Sequence, residues 1–499
     1  MTRRQLLRIL AQTGIGVPLA QALPFQSAFA RDPLIITGGQ LPPIENRKII
    51  FIRMFGGNDG LNTVVPYQDP LYYHMRQEQS IVPCAIHPHE VLVLPDHPSL
   101  GFHPALSGLY ELYKEGKVAV LQNVGYPHQD LSHFHSTDIW LTANISGRME
   151  YSGWMGRYLE TRYNGIIPPY PPAIELGSSL SRFLLGRSQD MGFAYNGNVD
   201  IPEKMTNNSS HISSSRIEQN YINEIRNASH TFLKSIQNVV EKNIKNTRQY
   251  NSRNRIAVEL STVAQLIAGG LQTPVYSIIT DLLFDNHEYL LYLQHRSLSE
   301  VMGVVYEFQR DCEQLGIADE ILIVLYSEFG RRVRPNGSGT DHGAAAPVFI
   351  IGNNVHGGVY GENPQLSNLD DEGNIRFVYD FRQIYSTLLT DWFGALGLSL
   401  YPNVLSTFTE NIPFLYKNSE LQQPLLFPNP CMGELNVTLD SERINSLEIY
   451  SCFGEKCIVT YQNMGMFGCK VMTQHLASGH YVVRLNTAHS TYESLFVKI

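Results

Sequence analysis

The chain has no excess of positive charge. It carries 37 Lys and Arg against 46 Asp and Glu, a formal net charge of −9 and a pI near 6.0. Nothing in that balance prepares it for a polyanionic partner, so nucleic-acid binding is excluded as an expectation. It also lacks an apolar run of the roughly 18 residues that a membrane span needs. Only 6 of its 499 residues are cysteines, and none forms a C-x-x-C pair, which argues against a zinc ribbon. Cys431, Cys452, Cys457 and Cys469 crowd into the last seventy or so residues. In an oxidising compartment they are free to pair, and buried unpaired thiols remain the other reading.

A large globular protein is what is left. At 499 residues, 43% hydrophobic and 17% charged, the chain has enough apolar material for a sizeable core and more than one domain. The first 30 residues read as an address. Arg3 and Arg4 precede a weakly apolar stretch, and Ala28-Phe-Ala30 has the form of a cleavage site. This pattern resembles a twin-arginine export signal, which predicts passage through the twin-arginine machinery.

From 31 to 416 apolar strands alternate with helical patterns, which predicts an α/β fold around a doubly wound, mostly parallel sheet. Strands are expected at 49–54, 118–124, 275–280, 321–326 and 348–352. Helices are expected at 104–115, 133–143, 256–268 and 289–315. Within this block, 203–254 opens with an Asn/Ser-rich run and continues with apolar residues three and four apart. We read it as an inserted helical hairpin, which either packs or closes over a site. A linker at 417–426 leads to 427–499, whose alternating pattern and Gly turns predict a small β-sandwich.

The chemistry gathers where strands end. In an open α/β sheet, ligands sit beyond the carboxyl ends of the strands. The run from Ile49 ends at Asp59, that from Val275 leads to Asp285 and His287, and that from Ile321 ends at Glu328. Asp341 and His342 follow between glycines. Carboxylates and imidazoles of this kind bind divalent metals, which hold attacking and leaving oxygens in displacement at phosphorus or sulfur. Asp59, Asp285, His287, Glu328, Asp341 and His342 are therefore the candidate metal ligands. Each also has a structural explanation: a turn for Asp59, an ion pair with Arg331 or Arg332 for Glu328, a loop cap for His342. Ser132 precedes the helix that opens at His133, where backbone N–H groups favour an anion, so it is the candidate nucleophile. Plain N-capping explains it equally well. His128, His133 and His135 crowd nearby and could bind metal or orient substrate; His133 is the catalytic candidate among them, and Arg331 a holder of anionic oxygens.

These motifs also carry a resemblance. Phe55-Gly-Gly-Asn-Asp-Gly-Leu-Asn62, Ser132-His-Phe134, Phe284-Asp-Asn-His287, Ser327-Glu-Phe-Gly-Arg331, Gly339-Thr-Asp-His-Gly343 and Gly357-Gly-Val-Tyr-Gly361 resemble the fifteen-oh-one family of domains of unknown function. The likeness runs over about 45 to 410, and the family is placed in the alkaline phosphatase and sulfatase superfamily. It implies an alkaline phosphatase-like fold and a divalent cofactor: Zn²⁺, Mg²⁺, Mn²⁺ or Ca²⁺. It also implies hydrolysis of anionic phosphate or sulfate esters. Phe329 stands where the superfamily places a metal-binding His, which favours one hard, oxygen-liganded ion over a complete pair. It also leaves open a second function, a catalytically degenerate binding or assembly protein of the cell surface.

The tail resembles a type A sorting domain of the type IX secretion system, on Phe427-Pro-Asn-Pro430, Leu447-Glu-Ile-Tyr450 and Ala477 to Arg484. That implies transit through the periplasm to the outer surface or the medium, with the type IX machinery as partner.

Overall fold

A computed structural model describes residues 47–77, 84–163, 166–197, 216–280, 284–395, 411–415, 425–439, 444–451, 456–464, 468–487 and 491–499. The export signal, the start of the 203–254 insertion and most of the linker lie outside these residues, as does Cys452.

The chain divides into two units, one of 44–388 with 401–416, the other containing 389–400 and 417–499. The first unit contains β1 (Lys48–Arg53), β2 (Val118–Gly125), β3 (Ala173–Leu176), β4 (Gly192–Tyr195), β5 (Val275–Ile279), β6 (Ile321–Tyr326), β7 (Gly330–Pro335), β8 (Thr340–Gly343), β9 (Ala346–Ile351), β10 (Gly358–Tyr360) and β11 (Tyr379–Asp380), besides a small sheet of the short strands Val64–Val65, Leu92–Leu94 and His97–Phe102. Its helices are α1 (Pro70–Gln77), α2 (Ser107–Lys114), α3 (His133–Thr142), α4 (Trp154–Tyr163), α5 (Arg216–Val240), α6 (Arg255–Ala268), α7 (Leu290–Leu315) and α8 (Phe381–Thr387).

The central sheet is nine-stranded in the order β10-β2-β9-β6-β1-β5-β3-β4, with β11 alongside β2. β1 runs parallel to both β5 and β6. All six of its residues are buried, as a strand covered on both faces must be. β9 departs from the parallel expectation, running antiparallel to both β2 and β6. The reason is local: only the short β7–β8 hairpin lies between β6 and β9, too little chain for a helical crossover.

Helices close the faces. α6 starts at Asn254, whose side chain accepts from the N–H groups of Ile256 and Ala257. α7 lays Leu298, Val301, Met302, Val305, Phe308 and Cys312 on the core that Ile50, Ile52, Leu325 and Phe349 of the sheet also build. It stops at Gly316, with φ +73°.

Of the 203–254 segment, residues 216–254 are described. They hold one helix, α5, which buries Ile236 and Val239 in the main core, and no second helix. The chain then runs irregularly to 254, stapled to α7 by the buried Asp311. That carboxylate accepts from Asn246 Nδ2, the Thr247 N–H and hydroxyl, and Tyr250. Polar residues at 243–251 break the helical period because they are spent on this staple.

The C-terminal unit contains β12 (Leu425–Phe427), β13 (Glu434–Thr438), β14 (Ser446–Ser451), β15 (Lys456–Cys457), β16 (Thr460–Asn463), β17 (Gly468–Met472), β18 (Gly479–Asn486) and β19 (Thr491–Lys498). They form two antiparallel four-stranded sheets, β12-β13-β17-β16 and β15-β14-β18-β19. Leu435 and Val437 of one sheet share a core with Ile449, Val483 and Phe496 of the other. Cys84, Cys312, Cys431 and Cys469 are buried. Among the described residues no helix is long and apolar enough to cross a membrane.

Candidate metal centre

The parallel strands β1, β5 and β6 end on the same edge, where the described segments 54–59, 284–289 and 327–329 follow them. Two glycines let the first loop approach the others. Gly56 (φ +118°) and Gly57 (φ +81°) both occupy conformations that favour glycine. A Cβ on Gly56 would meet the Asp285 nitrogen at 2.5 Å, and one on Gly57 the Phe329 ring at 2.5 Å.

Arg331, at 2% exposure, ties the loops together. Its Nε donates to Gly57 O (2.8 Å) and its Nη1 to Thr340 O (2.8 Å). Its Nη2 reaches Gly56 O, Phe284 O (3.0 Å) and Asp285 Oδ1 (2.5 Å). The guanidinium is consumed by this frame, so the expected role of holding substrate oxygens does not fit it.

Within the frame, one group of side chains converges. The ligand atoms of His133, Asp285 and His342 all lie within 4.8 Å of one another. His342 places Nδ1 2.8 Å from the Leu131 carbonyl. A carbonyl only accepts, so Nδ1 carries the proton and neutral His342 turns the Nε2 lone pair inward. That Nε2 is 3.1 Å from Asp285 Oδ1. His133 has the same arrangement, with Nδ1 2.8 Å from Glu328 Oε1. Its Nε2 is buried, has no hydrogen-bond partner among the described residues, and lies 3.4 Å from Asp285 Oδ2. Phe329, 1% exposed, is the platform for both rings, with centroids 4.8 Å from His133 and 4.7 Å from His342.

The two imidazoles are shifted in opposite directions. The hydrogen bond that His133 donates to Glu328 raises the His133 pKa against the opposing effect of burial and favours its protonated form, so a metal ion would have to displace a proton from Nε2. Burial, with the charge of Arg331 nearby, lowers that of His342 and favours its neutral form. Burial alone would raise Asp285, but Arg331, His342 and His287 overcome it and hold the carboxyl down to about 2.

A divalent metal fits this set. Lone pairs on two imidazoles and a carboxylate that face one another repel unless a proton or a cation stands between them. His342 Nε2 lies 3.1 Å from Asp285 Oδ1 and His133 Nε2 lies 3.4 Å from Asp285 Oδ2, so the two imidazoles approach different oxygens of one carboxylate, which can grip an ion through one or both. The outer nitrogens are held by a carboxylate and a carbonyl, the usual way of orienting ligating histidines.

The other expected ligands stand elsewhere. Asp59 is 1% exposed, and both its oxygens are taken by Arg76 Nη1 and Nη2 at 2.8 and 2.7 Å. Glu328 is fully buried and accepts from Gly56 N–H (2.9 Å) and His133, so it orients a ligand instead of being one. His287 borders the group, its Nε2 2.9 Å from Asp285 Oδ1 and 3.1 Å from His342 Nε2. Asp341 is exposed, takes a bond from Asn336 Nδ2 (2.6 Å) and lies 3.5 Å from His287 Nδ1. Ser132 is exposed at the start of α3; its N–H donates to Asp130 Oδ1 (2.7 Å) and its hydroxyl makes no capping bond.

Sequence reasoning gave His133 a catalytic place and read it, with His128 and His135, as able to bind metal or orient substrate, without choosing among the three. It missed Arg76, the Leu131 carbonyl and the Phe329 platform. Only Phe329 left a trace, as a departure from a family pattern.

No curated protein matches the chain. Among solved structures it is similar to a lipoteichoic acid synthase from Listeria monocytogenes, with 10% identity, TM-score 0.31, and 83% of this chain and 86% of that one covered. It is also similar to a sulfatase from Pseudoalteromonas sp., with 11% identity, TM-score 0.31, and 81% and 79% covered. A third is a phosphonate monoester hydrolase from Silicibacter pomeroyi, with 9% identity, TM-score 0.30, and 90% and 89% covered. Residues 425–498 match the family described as secretion system C-terminal sorting domain, which implies export, to the cell surface or the medium. Residues 245–391, which carry Asp285, Glu328, Arg331 and His342, match the family described as protein of unknown function (DUF1501).

Proposed function

We propose that the chain is an exported, metal-dependent hydrolase of phosphate or sulfate esters, built on one ion held by His133, Asp285 and His342. The observation that carries the reading is the buried, unpartnered His133 Nε2 facing Asp285 across a space that His342 Nε2 also enters. Two nitrogens and one carboxylate suit a borderline ion such as Zn²⁺ better than the oxygen-liganded Ca²⁺ or Mg²⁺ expected from the sequence. Such an ion would polarise an ester oxygen and make a bound water acidic. The remaining roles fall to the chain. Glu328 and the Leu131 carbonyl hold the imidazoles in one tautomer. Arg331 fixes the loops so that the ligand atoms need no reorganisation. Ser132 presents an exposed hydroxyl one residue from a ligand and is the candidate nucleophile. His287, half-exposed at the rim, is placed to move a proton at the leaving oxygen.

The test is a screen of aryl phosphate and aryl sulfate hydrolysis by the full chain and by Ser132→Ala. Turnover by the wild type that falls at least about 100-fold in Ser132→Ala, with an unchanged melting temperature, supports the assignment. Equal turnover removes Ser132 from it.

A second reading, a phosphatase-like fold kept for binding or assembly, is favoured by Asp59. An acid at the end of the central strand is locked to Arg76 and withdrawn from the chemistry. Absence of turnover on every ester in a metal-loaded sample would favour it.

A further inference from the structure

A second set of buried donors lies outside the ligand group, at the end of β1. Arg53 is 8% exposed, and among the described residues its Nε and Nη1 are enclosed with no hydrogen-bond partner. Register places its neighbours. Arg53 pairs with Tyr326 of β6, while Phe51, two residues earlier on the same face, pairs with Ser277 of β5, which pairs in turn with Glu175 of β3. Glu175 is the acid on this face, and it is occupied elsewhere: its oxygens accept from the Ser181 N–H and from Ser277 Oγ (3.1 Å). Burial raises its pKa, which weakens it further as a counter-charge. Trp140 stacks on Tyr326 with ring centroids 5.1 Å apart, and its Nε1 is also enclosed without a partner.

The imbalance has one sign. Guanidinium and indole N–H groups donate and do not accept. A buried guanidinium whose Nε and Nη1 have no acceptor, and whose charge meets only a Glu175 carboxylate already bonded to Ser181 and Ser277, is unfavourable, and its persistence calls for a group that supplies acceptors and charge. We propose that Arg53 binds a small oxyanion: a carboxylate, sulfate or phosphate group. These have the lone pairs and charge to match a guanidinium fork. The exposed edge of Arg53 is its way in. The site is separate from the ligand group but near it, because the Phe55 ring stands between them, 5.6 Å from the Arg53 guanidinium and 5.5 Å from the His133 ring. A ligand engaging both would carry two anionic groups. The Arg53 site itself does not depend on the hydrolase reading.

The experiment uses the full chain, dialysed against a chelator so that no metal ion competes for the anion. Sodium acetate, sulfate and phosphate are titrated separately, with sodium chloride holding ionic strength constant. Melting temperature and tryptophan fluorescence are followed in the wild type and in Arg53→Met. The expected result is a saturable rise in melting temperature and a saturable fluorescence change in the wild type at millimolar anion, both absent in Arg53→Met. The three arms tell which oxyanion the site prefers. No saturable response in the wild type, or the same curve in Arg53→Met, overturns the proposal. Arg53→Lys covers the case in which Arg53→Met does not fold. It keeps the charge and loses the fork, so its midpoint should move at least tenfold, and an unchanged midpoint overturns the proposal.

Discussion

Asp59 shows how a single residue can be read correctly as special and wrongly as to why. A carboxylate after an apolar strand, between Asn58 and Gly60, has the sequence form of a metal ligand, and in the structure it is one half of a fully buried ion pair. The partner, Arg76, sits on α1, a helix whose sequence gives no sign of burying an arginine completely. Removing one member of such a pair leaves the other charge stranded. Asp59→Ala is therefore expected to lose about 3–5 kcal/mol in urea unfolding while keeping its metal content. Loss of metal from a folded Asp59→Ala would return Asp59 to the ligand set. Glu328 has the opposite character: it holds His133 from outside the candidate ligand group. Glu328→Gln should weaken metal affinity about 10–100-fold, the usual effect of removing an outer partner of a ligating histidine. Titration with a chromophoric chelator reads this directly, and complete loss of binding would make Glu328 a ligand. His133, His342 and Asp285 were legible as chemistry because each lies at or near a strand end. Their separation from Asp59 was not, because sequence fixes where loops begin and not which loops meet.

At the scale of elements, strands 118–124, 275–280 and 321–326 and the helices at 256–268 and 289–315 were legible from period and caps. They are long and strongly patterned, and the two helices are ended by Gly269 and Gly316. Two things were not. The direction of β9 depends on a hairpin too short for a crossover, which apolar content does not reveal. The run of 241–254 depends on Asp311, an acid on α7 some sixty residues later. The junction of α2, β2 and α7 offers a pH test. Glu115 is bonded by Arg310 and Lys117, with Arg310 the larger influence, and its pKa is lowered from 4.5 to about 2. A depressed carboxyl contributes stability that is present above its unfolded value and is lost as pH falls through its folded one. The melting temperatures of wild type and Arg310→Met should therefore differ at pH 6 and converge between about pH 4 and pH 2. The pair is partly exposed, so the difference should be small and shrink in salt. A gap that persists at pH 2 would mean that Arg310 acts through its packing on Tyr306 instead.

At the scale of the whole molecule, an α/β unit and a β-sandwich unit do different work. We assign the chemistry to the first and the address to the second, whose two antiparallel sheets present no ligand cluster among the described residues. The sandwich was legible in sequence because its strands alternate strictly between glycine turns, whereas its pairing order was not. A chain ending at Tyr416 should keep the metal content of the full chain and fail to reach the cell surface or medium, as cell fractionation would reveal. Normal export of that chain would refute the assignment of the tail.

The central claim is that His133, Asp285 and His342 together hold one metal ion. The most direct test is elemental analysis of the full chain, purified without chelator, beside His342→Ala and Asp59→Ala. The account predicts about one equivalent of a divalent transition metal in the wild type and in folded Asp59→Ala, and almost none in His342→Ala. Equal metal in His342→Ala and the wild type, or no uptake by a well-folded wild type supplied with Zn²⁺ and Mn²⁺, would contradict it.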